Sequence, residues 1–344
     1  MKFGPVPLDN APGKILGHNI AGPDGKRAFR KGRPLTAEDV AALKAMGRTA
    51  VYVAELESGD VDEDAAARRV AQIVMGQNLR PSGPASGRVN LLAVSLAPSG
   101  VGVVRVDVEK LSRLNEEEAV TVATLVSHSP VRARQIAATI KIIPFAVPEA
   151  TLRTIDSIGG PVVQVDPLLS KVVGIILSGS PAARERVTED FDTPLKSRIA
   201  SLGSEVRFED YVPLEDERGE AELAETLRRQ KSDGAQLIVL AGETAIMDRY
   251  DIAPRAIERA GGEVTCFGAP VDPGNLLLVG YIGDTPVLGA PGCARSRKAN
   301  VVDWVLPRLL VGDPLTRKDV MAFGHGGLLE EILERPMLRD EGNR

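Results

Sequence analysis

The chain has 344 residues, 43% of them hydrophobic and 26% charged, which predicts a globular protein of two or three domains. Its formal net charge of −5 argues against a duplex nucleic acid as the main partner. Cys266 and Cys293 are too few for a disulfide framework or a structural zinc site. No segment has the roughly 18 apolar residues of a spanning helix, and the start lacks a signal-peptide core. We therefore expect a cytoplasmic protein that does not enter a membrane.

Two helices are predicted in the first 165 residues. The first covers residues 36–46, where Thr36 and Asp39 have the spacing of a capping box and Gly47 follows as a stop. The second covers residues 60–75, which are acidic at the start and basic in the middle, as the helix dipole favours. Short β-strands separated by Gly and Pro surround both helices, so we predict one or two small α+β modules over residues 1–165. The predicted strands are Thr49–Val53, Gly87–Ala93, Gly102–Val108, Ala119–Thr124 and Ala138–Phe145.

The second half alternates apolar strands with helices. The predicted strands are Lys171–Ser178, Ser204–Val212 and Gln236–Ala241. The predicted helices begin at Asp192-Thr193-Pro194, at Glu220 and at Ile252. This alternation predicts a parallel sheet with right-handed crossovers, in an α/β domain over residues 166–315. Residues 316–344 are expected to form a helical segment that ends in a frayed tail.

Three segments fall where a parallel sheet binds its ligand, at the carboxyl ends of strands. They are Ser178–Asp192, expected to be a long loop ending at a helix cap, Gly242–Asp251, and Gly268–Ser296. From Gly261 to Gly292, twelve of 32 residues are Gly or Pro, about twice the frequency in the whole chain. Such a density favours turns whose exposed N–H groups can surround an anion.

The last segment runs into a basic stretch before a helix that carries Trp304. The sequence GAPGCARSRK places Arg295, Arg297 and Lys298 beside a helix start, where a phosphate would be stabilised. A tight turn followed by solvated basic residues is the alternative. Cys293 is either a small structural thiol or, beside these cations, a nucleophile of lowered pKa.

Carboxylates supply a second candidate site, because Asp248 and Asp251 flank Arg249 directly after a buried strand. They would hold a hydrated magnesium ion or accept hydrogen bonds from a polar heterocycle. The alternative is that Asp251 only caps the following helix, and both roles are compatible. The three histidines show no metal-binding spacing.

The second half resembles the molybdopterin-binding domain shared by the MogA/MoaB and MoeA/gephyrin groups of molybdenum cofactor biosynthesis. The resemblance covers roughly residues 170–312. It rests on GETAIMDRYDIAP from Gly242, AIERAGGEV from Ala256, VDPGNLL from Val271 and GAPGCARS from Gly289, together with Asp192-Thr193. The first half is similar, more weakly, to the flanking modules of the MoeA group. The whole chain resembles the amino-terminal part of a bacterial group whose longer members continue into a nucleotidyltransferase domain.

The resemblance implies a three-layer α/β domain that binds the pterin and phosphate of molybdopterin at the carboxyl edge of its sheet. Members of the family either adenylylate molybdopterin with magnesium and ATP or insert molybdate into the adenylylated form. By position, the catalytic residues would be Asp251, Asp248 and Asp192, with Asp251 and Asp192 at the metal. The implied cofactor-binding residues are Gly242, Glu243, Thr244, Ala245, Arg249, Pro273, Gly274, Pro291, Gly292, Cys293, Arg295 and Ser296.

This chain departs from the family pattern at three places. Glu243 and Met247 stand where the family has glycine, and Cys293-Ala294 replace Asn-Pro. These departures weigh against catalysis more than against pterin binding. We therefore expect a molybdopterin-binding protein of cofactor maturation, with a non-catalytic carrier or a CinA-like nucleotide pyrophosphatase as alternatives. Expected partners are a nucleotidyltransferase or a recipient molybdoenzyme, and the protein is expected to be a dimer or trimer.

Overall fold

A computed structural model describes residues 1–214, 217–243 and 246–329. The chain divides into two compact units. Unit 1 consists of Met1–Ser95, Val104–Ser127 and Ala133–Val165. Unit 2 consists of Leu96–Val103, His128–Arg132 and the described residues from Asp166 onward. Two short segments of the first half therefore belong to the second unit.

The strands are short in the first half and longer in the second. They are β1 Lys2–Pro7, β2 Ile15–Leu16, β3 Ile20–Ala21, β4 Arg27–Phe29, β5 Ala50–Glu55, β6 Asp60–Asp62, β7 Leu79–Pro81, β8 Arg88–Ala93, β9 Val101–Val106, β10 Val120–Thr124, β11 Pro130–Arg132, β12 Ile136–Ile142, β13 Ala146–Pro148, β14 Val163–Pro167, β15 Val172–Gly179, β16 Glu205–Pro213, β17 Leu237–Gly242, β18 Glu263–Phe267, β19 Leu278–Ile282 and β20 Thr285–Gly289.

The helices follow the same division. They are α1 Ala37–Ala45, α2 Glu63–Val74, α3 Val108–Asn115, α4 Glu149–Ile158, α5 Arg184–Ser201, α6 Glu217–Ser232, α7 Ile252–Arg259, α8 Val302–Val311 and α9 Arg317–Met321. Short 3-10 turns cover Pro181–Ala183 and Gly292–Arg295, among others.

Unit 1 contains small antiparallel sheets with helices packed on them. Its sheets are ordered β1-β5-β2 and β10-β12-β8-β7, with the pairs β3-β4 and β6-β13 beside them. The capping box predicted for the first helix is confirmed, because Thr36 Oγ1 accepts from the Asp39 N–H and the Asp39 carboxylate accepts from the Thr36 N–H. The α+β character predicted for this half is thus present.

Unit 2 contains a six-stranded sheet of order β16-β15-β17-β20-β19-β18. The first four strands run parallel, and the hairpin β19-β20 and the pair β18-β19 are antiparallel. Side chains of α5 and α8 pack in one buried cluster, and side chains of α6 and α7 pack in the other. Successive residues of β15 alternate between the two clusters, with Ile175 in the first and Ile176 in the second. This is the predicted three-layer α/β arrangement, and the fold class is confirmed.

The prediction that a helix begins at Asp192-Thr193-Pro194 is wrong. Helix α5 begins earlier, at Arg184, so Asp192 and Pro194 lie inside it and most of the expected loop Ser178–Asp192 is helical. An internal proline removes one backbone hydrogen bond. The helix persists because Val187, Phe191, Leu195 and Ile199, four residues apart, are all buried in the core.

The third predicted ligand segment is also more regular than expected, because β19 and β20 lie within Gly268–Ser296.

After α8, the short helix α9 begins with a second capping box, formed by Thr316 and Asp319. The frayed tail expected after Leu338 lies outside the described residues. Among the residues that the structure describes, no helix is long and apolar enough to cross a membrane.

Candidate functional site

Three parallel strands end at one edge of the unit 2 sheet. Ser178 near the end of β15 is in register with Gly242, the last residue of β17, and Leu240 is in register with Gly289, the last residue of β20. These ends approach so closely that a Cβ on Gly242 would lie 2.4 Å from Ser178 Oγ. A glycine is therefore needed at this strand end, and the three following loops are brought side by side.

A narrow cleft of about 40 Å³ opens at this edge. Its polar lining residues are Ser178 and Asp251, which lie there together with Gly242, and the remaining lining residues are apolar. The apolar lining residues are Ile176, Leu214, Leu223, Leu240, Ala241, Ile246, Ala253 and Ala290. Such a volume holds about three water molecules, so a larger ligand would have to lie across the mouth of the cleft.

Asp251 closes the loop that follows β17. One carboxylate oxygen accepts from the Ile252 N–H at 2.7 Å and the other accepts from the Met247 N–H at 3.1 Å. The helix-capping role considered for Asp251 is therefore present, in a residue that also lines the cleft. Asp248 forms a local turn, because its Oδ1 accepts from the Tyr250 N–H at 2.8 Å.

The other side chains of this loop divide between an ion pair and exposed surface. The Arg249 guanidinium pairs with Glu258 of α7 at 2.9 Å, so it is directed toward that helix. Met247 and Tyr250 are 66% and 80% exposed, so neither side chain packs in the core. Tyr250 is next to Asp251 and was not among the residues predicted from the sequence.

Glu243, the first residue after β17, is held by three donors. Its Oε2 accepts from the Ser180 N–H at 2.8 Å and from the Ser180 hydroxyl at 3.0 Å, and its Oε1 accepts from Arg186 Nη2 at 2.7 Å. The backbone hydrogen bond from Ser180, with its hydroxyl and Arg186 in addition, lowers the pKa of Glu243 below its usual value. Thr244 and Ala245, also predicted to bind cofactor, lie outside the described residues.

The basic loop after β20 is organised by Arg198, which extends from α5. Its guanidinium donates to the carbonyl oxygens of Ala294 at 3.0 Å, Ser296 at 2.7 Å and Lys298 at 3.0 Å, and pairs with Asp303 at 2.9 Å. The Arg198 side chain is only 10% exposed, so all but the bond to Lys298 are partly sheltered from water. Arg198 thus fixes the conformation of the whole basic loop.

This arrangement determines which way the loop presents its N–H groups. In a trans peptide the N–H points opposite to the preceding carbonyl. Arg295 is the last residue of the 3-10 turn, so its N–H belongs to that turn. Because the Ser296 and Lys298 carbonyls accept from Arg198, the N–H groups of Arg297 and Ala299 point away from it, and both residues are exposed. Outward N–H groups beside two arginine side chains are the features of an anion-binding loop.

The remaining predicted residues of this loop have structural contacts. Cys293 is half-buried and burial raises the pKa of its thiol, which supports the structural reading over the nucleophile. The Ser296 hydroxyl accepts from the Lys298 N–H at 3.1 Å. Pro291 and Gly292 begin the turn next to Ala290, which lines the cleft, and a Cβ on Gly292 would meet only open space.

Pro273 and Gly274 lie against the start of α8. The Pro273 carbonyl accepts from the Val301 N–H at 3.2 Å, and a Cβ on Gly274 would lie 2.5 Å from Val301 Cβ. Neither residue lines the cleft. Their predicted role in binding cofactor stays a prediction, and the contacts seen here position the helix that follows the basic loop.

Asp192 does not accompany the other predicted carboxylates. It lies eight residues into α5, about 12 Å along the axis from the helix start, and forms an ion pair with Lys196 at 2.7 Å. Within the described parts of the chain, no three His, Cys, Asp or Glu side chains gather where a metal ion could bind. Asp251 is the only carboxylate among the described residues that line the cleft, so the structure does not bring together the two carboxylates predicted to hold magnesium. The predicted metal role of Asp251 and Asp192 therefore stays a prediction without structural support.

Comparison with known proteins gives partial matches. Residues 5–55 match a family described as a domain of unknown function (DUF8806). No curated protein matches the chain.

Solved structures give similarities at low sequence identity. A molybdenum cofactor biosynthesis protein from Pyrococcus furiosus is 14% identical, with a TM-score of 0.23, over 91% of this chain and 66% of that protein. This chain therefore spans just under two thirds of the length of that protein. Molybdenum cofactor biosynthesis protein B is 14% identical, with a TM-score of 0.28, over 41% of this chain and 87% of that one. The molybdopterin biosynthesis moeA protein from Pyrococcus horikoshii OT3 is 12% identical, with a TM-score of 0.23, over 84% of this chain and 69% of that protein.

Proposed function

We propose that unit 2 binds molybdopterin, or a closely related pterin that carries a phosphate, at the carboxyl edge of its parallel sheet. The pterin would lie across the cleft bordered by Ser178 and Asp251, and its phosphate would bind the loop that Arg198 organises. The protein would act in maturation of the molybdenum cofactor. This proposal takes its ligand from the sequence resemblance and its binding mode from the site.

The observation that carries the proposal is the continuity of the cleft with the basic loop. Ala290 lines the cleft, and the turn Gly292–Arg295 follows it after one residue. A ligand with a flat polar ring and a nearby phosphate would therefore contact both. The cleft offers a carboxylate that accepts from ring N–H groups, and the loop offers N–H groups and arginines that donate to phosphate.

A non-catalytic carrier is the form of this function that the site favours. The Glu243 carboxylate is paired with Ser180 and Arg186, and Asp251 is the only carboxylate among the described residues that line the cleft. A single carboxylate does not form the paired arrangement expected for metal-assisted phosphoryl transfer. No step of the proposed function passes through a metal ion.

Calorimetric titration of the purified protein tests the proposal. We expect molybdopterin to bind at one site per chain with a micromolar or tighter dissociation constant. The adenylylated form, ATP with magnesium, and molybdate would be added in separate titrations, and the products analysed. Binding of molybdopterin without conversion would support the carrier, and conversion would replace it with an enzyme of adenylylation or molybdate insertion. Failure of both pterin forms to bind would refute the proposed function.

Two variants make the result specific to this edge of the sheet. Arg295→Ala with Arg297→Ala removes two cations of the proposed phosphate site. Arg207→Ala is the matched control, because Arg207 is an exposed arginine of β16 that pairs with Glu205 and is not part of the cleft lining. We expect only the double variant to lose affinity. Equal affinity in all three proteins would mean that the phosphate binds elsewhere.

A further inference from the structure

Glu243 occupies a set of donors that resembles an oxyanion site. The Ser180 N–H, the Ser180 hydroxyl and the Arg186 guanidinium converge on its carboxylate at 2.8, 3.0 and 2.7 Å. One N–H, one hydroxyl and one guanidinium are also groups that bind a phosphate. The carboxylate side chain is 29% exposed, so this position is open to solvent on one side.

The donors are held in place by contacts that do not involve Glu243. The Tyr211 hydroxyl donates to the Ser180 carbonyl at 2.7 Å, and the Leu214 N–H donates to the Gly179 carbonyl at 3.1 Å. Arg186 also lies 3.9 Å from Asp190, one turn along α5. Removal of the Glu243 side chain would therefore leave these donors near their present positions.

The space for Glu243 depends on a neighbouring glycine. A Cβ on Gly179 would lie 2.7 Å from Glu243 Cβ and 2.9 Å from the Tyr211 hydroxyl, so no other residue fits at Gly179 without movement. The end of β15 thus accommodates a long acidic side chain at the start of the next loop.

We propose that Glu243 is a specificity-determining residue, whose carboxylate fills an oxyanion site at Ser180 and Arg186 and so excludes a second phosphate from this edge of the sheet. The site then accepts a ligand with one phosphate, on the loop organised by Arg198, and disfavours ligands with a further phosphoryl group. The position of the first phosphate rests on the proposed function. The effect of Glu243 on anion binding at Ser180 does not.

Counting bound inorganic phosphate by equilibrium dialysis tests this inference. We compare the wild-type protein with Glu243→Ala, which frees the donors, and with Glu243→Gln, which removes the charge but keeps an oxygen that accepts from them. We expect Glu243→Ala to bind one more phosphate per chain than the wild type and Glu243→Gln to bind no more. Adding Arg186→Ala to Glu243→Ala should abolish the additional site. If the alanine variant does not fold, Glu243→Gly removes the carboxylate in a second way.

The outcomes separate this inference from the proposed function. A wild-type stoichiometry of zero would contradict the phosphate site on the basic loop, yet a gain of one in Glu243→Ala would still support the role of Glu243. No gain in folded Glu243→Ala or Glu243→Gly would overturn that role. An equal gain in Glu243→Gln would overturn it too, because relief of negative charge alone would then explain the binding.

Discussion

At the scale of single residues, Asp251 combines a structural task with a position in the cleft. Its two oxygens accept from the Ile252 N–H, at the start of α7, and from the Met247 N–H, four residues before Asp251 in the loop. Asp251 also lines the cleft, beside Ser178 and Gly242. A capping residue at a strand-to-helix junction therefore supplies a polar group to the proposed ligand without a separate loop.

Asp251→Ala tests these two tasks together. We expect the free energy of unfolding to fall by about 1 kcal/mol, as for loss of a helix cap, and the affinity for molybdopterin to fall at least about tenfold. Urea denaturation and calorimetry measure the two effects. Asp248→Ala is the matched control, because that side chain accepts only from the Tyr250 N–H among the hydrogen bonds described, and it does not line the cleft. Unchanged affinity in Asp251→Ala would remove Asp251 from the binding site.

Tyr250, which precedes the cleft-lining residue Asp251 in the chain, has an exposed aromatic ring, in a chain that is only 3% aromatic. Stacking of a heterocycle on an aromatic side chain contributes about 1–3 kcal/mol. We expect Tyr250→Ala to weaken pterin binding about tenfold or more, with little change in stability because the side chain is exposed. Tyr250→Phe keeps the ring and should bind like the wild type. Equal affinity of the alanine and phenylalanine variants would show that the ring does not contact the ligand.

At the scale of elements, α5 and the loop after β20 form a single arrangement. Arg198 connects them through three carbonyl oxygens and Asp303. Asn300 supports the same loop, because its side-chain amide accepts from the Val302 N–H at 3.0 Å at the start of α8. The loop conformation is therefore determined by a helix about 100 residues earlier in the sequence.

The charge of this loop should appear in the salt dependence of binding. Exposed charges are screened over roughly 10 Å at 0.1 M ionic strength, so the wild-type affinity should fall as salt is added. We expect Arg295→Ala with Arg297→Ala to weaken binding at low salt and to flatten this dependence. Calorimetry at several salt concentrations, with Arg207→Ala alongside, measures it. An unaltered slope in the double variant would assign Arg295 and Arg297 to the solvated surface.

Loss of Arg198 should affect both the stability of unit 2 and binding. Arg198→Ala leaves several sheltered carbonyls and the Asp303 carboxylate without a donor, so we expect the free energy of unfolding to fall by about 3 kcal/mol. Arg198→Lys keeps the charge but cannot reach all the carbonyls, so its free energy of unfolding should lie between those of the wild type and Arg198→Ala. Trp304, the one tryptophan of the chain, lies in α8 and packs against Phe323, so its fluorescence reports this unfolding. A stability loss in Arg198→Ala no larger than that in Arg207→Ala would refute this role.

At the scale of the whole molecule, each unit has a capping box whose aspartate titrates below its usual range. The hydrogen bond from the Thr36 backbone lowers the pKa of Asp39, and the hydrogen bond from the Thr316 hydroxyl lowers the pKa of Asp319. A pKa that is lower in the folded state stabilises the protein above the unfolded pKa, near 3.8. That contribution is lost as the pH falls through the folded pKa.

We therefore expect Tm to decrease steeply below about pH 4. Asp39→Asn and Asp319→Asn should each lower Tm by a few degrees at pH 7, about 2–4 °C, and should make the decrease below pH 4 shallower. Thermal unfolding followed by circular dichroism from pH 7 to pH 2.5 measures both effects. A variant that loses stability in parallel with the wild type below pH 4 would show that its carboxylate is not linked to acid unfolding.

Local sequence patterns predicted most of the strands and helices of unit 2 and several of their ends. Continuous apolar runs predicted β15 and β17, Asp251 before Ile252-Ala253-Pro254 predicted the start of α7, and Thr36 with Asp39 predicted the start of α1. These features depend on neighbours within about four residues, so local spacing carries them. Alternation of strand and helix then predicted the parallel sheet and the edge at which its loops meet.

The tertiary structure alone decided which side chains face one another. Asp192-Thr193-Pro194 has the local pattern of a helix start, but four buried apolar residues on the sheet keep α5 continuous through it. Arg198, Ser180 and Arg186 gave no local signal, because their partners lie about 60 to 100 residues away in the chain. Contacts over such separations follow from the packing of helices on the sheet, and no local periodicity records them.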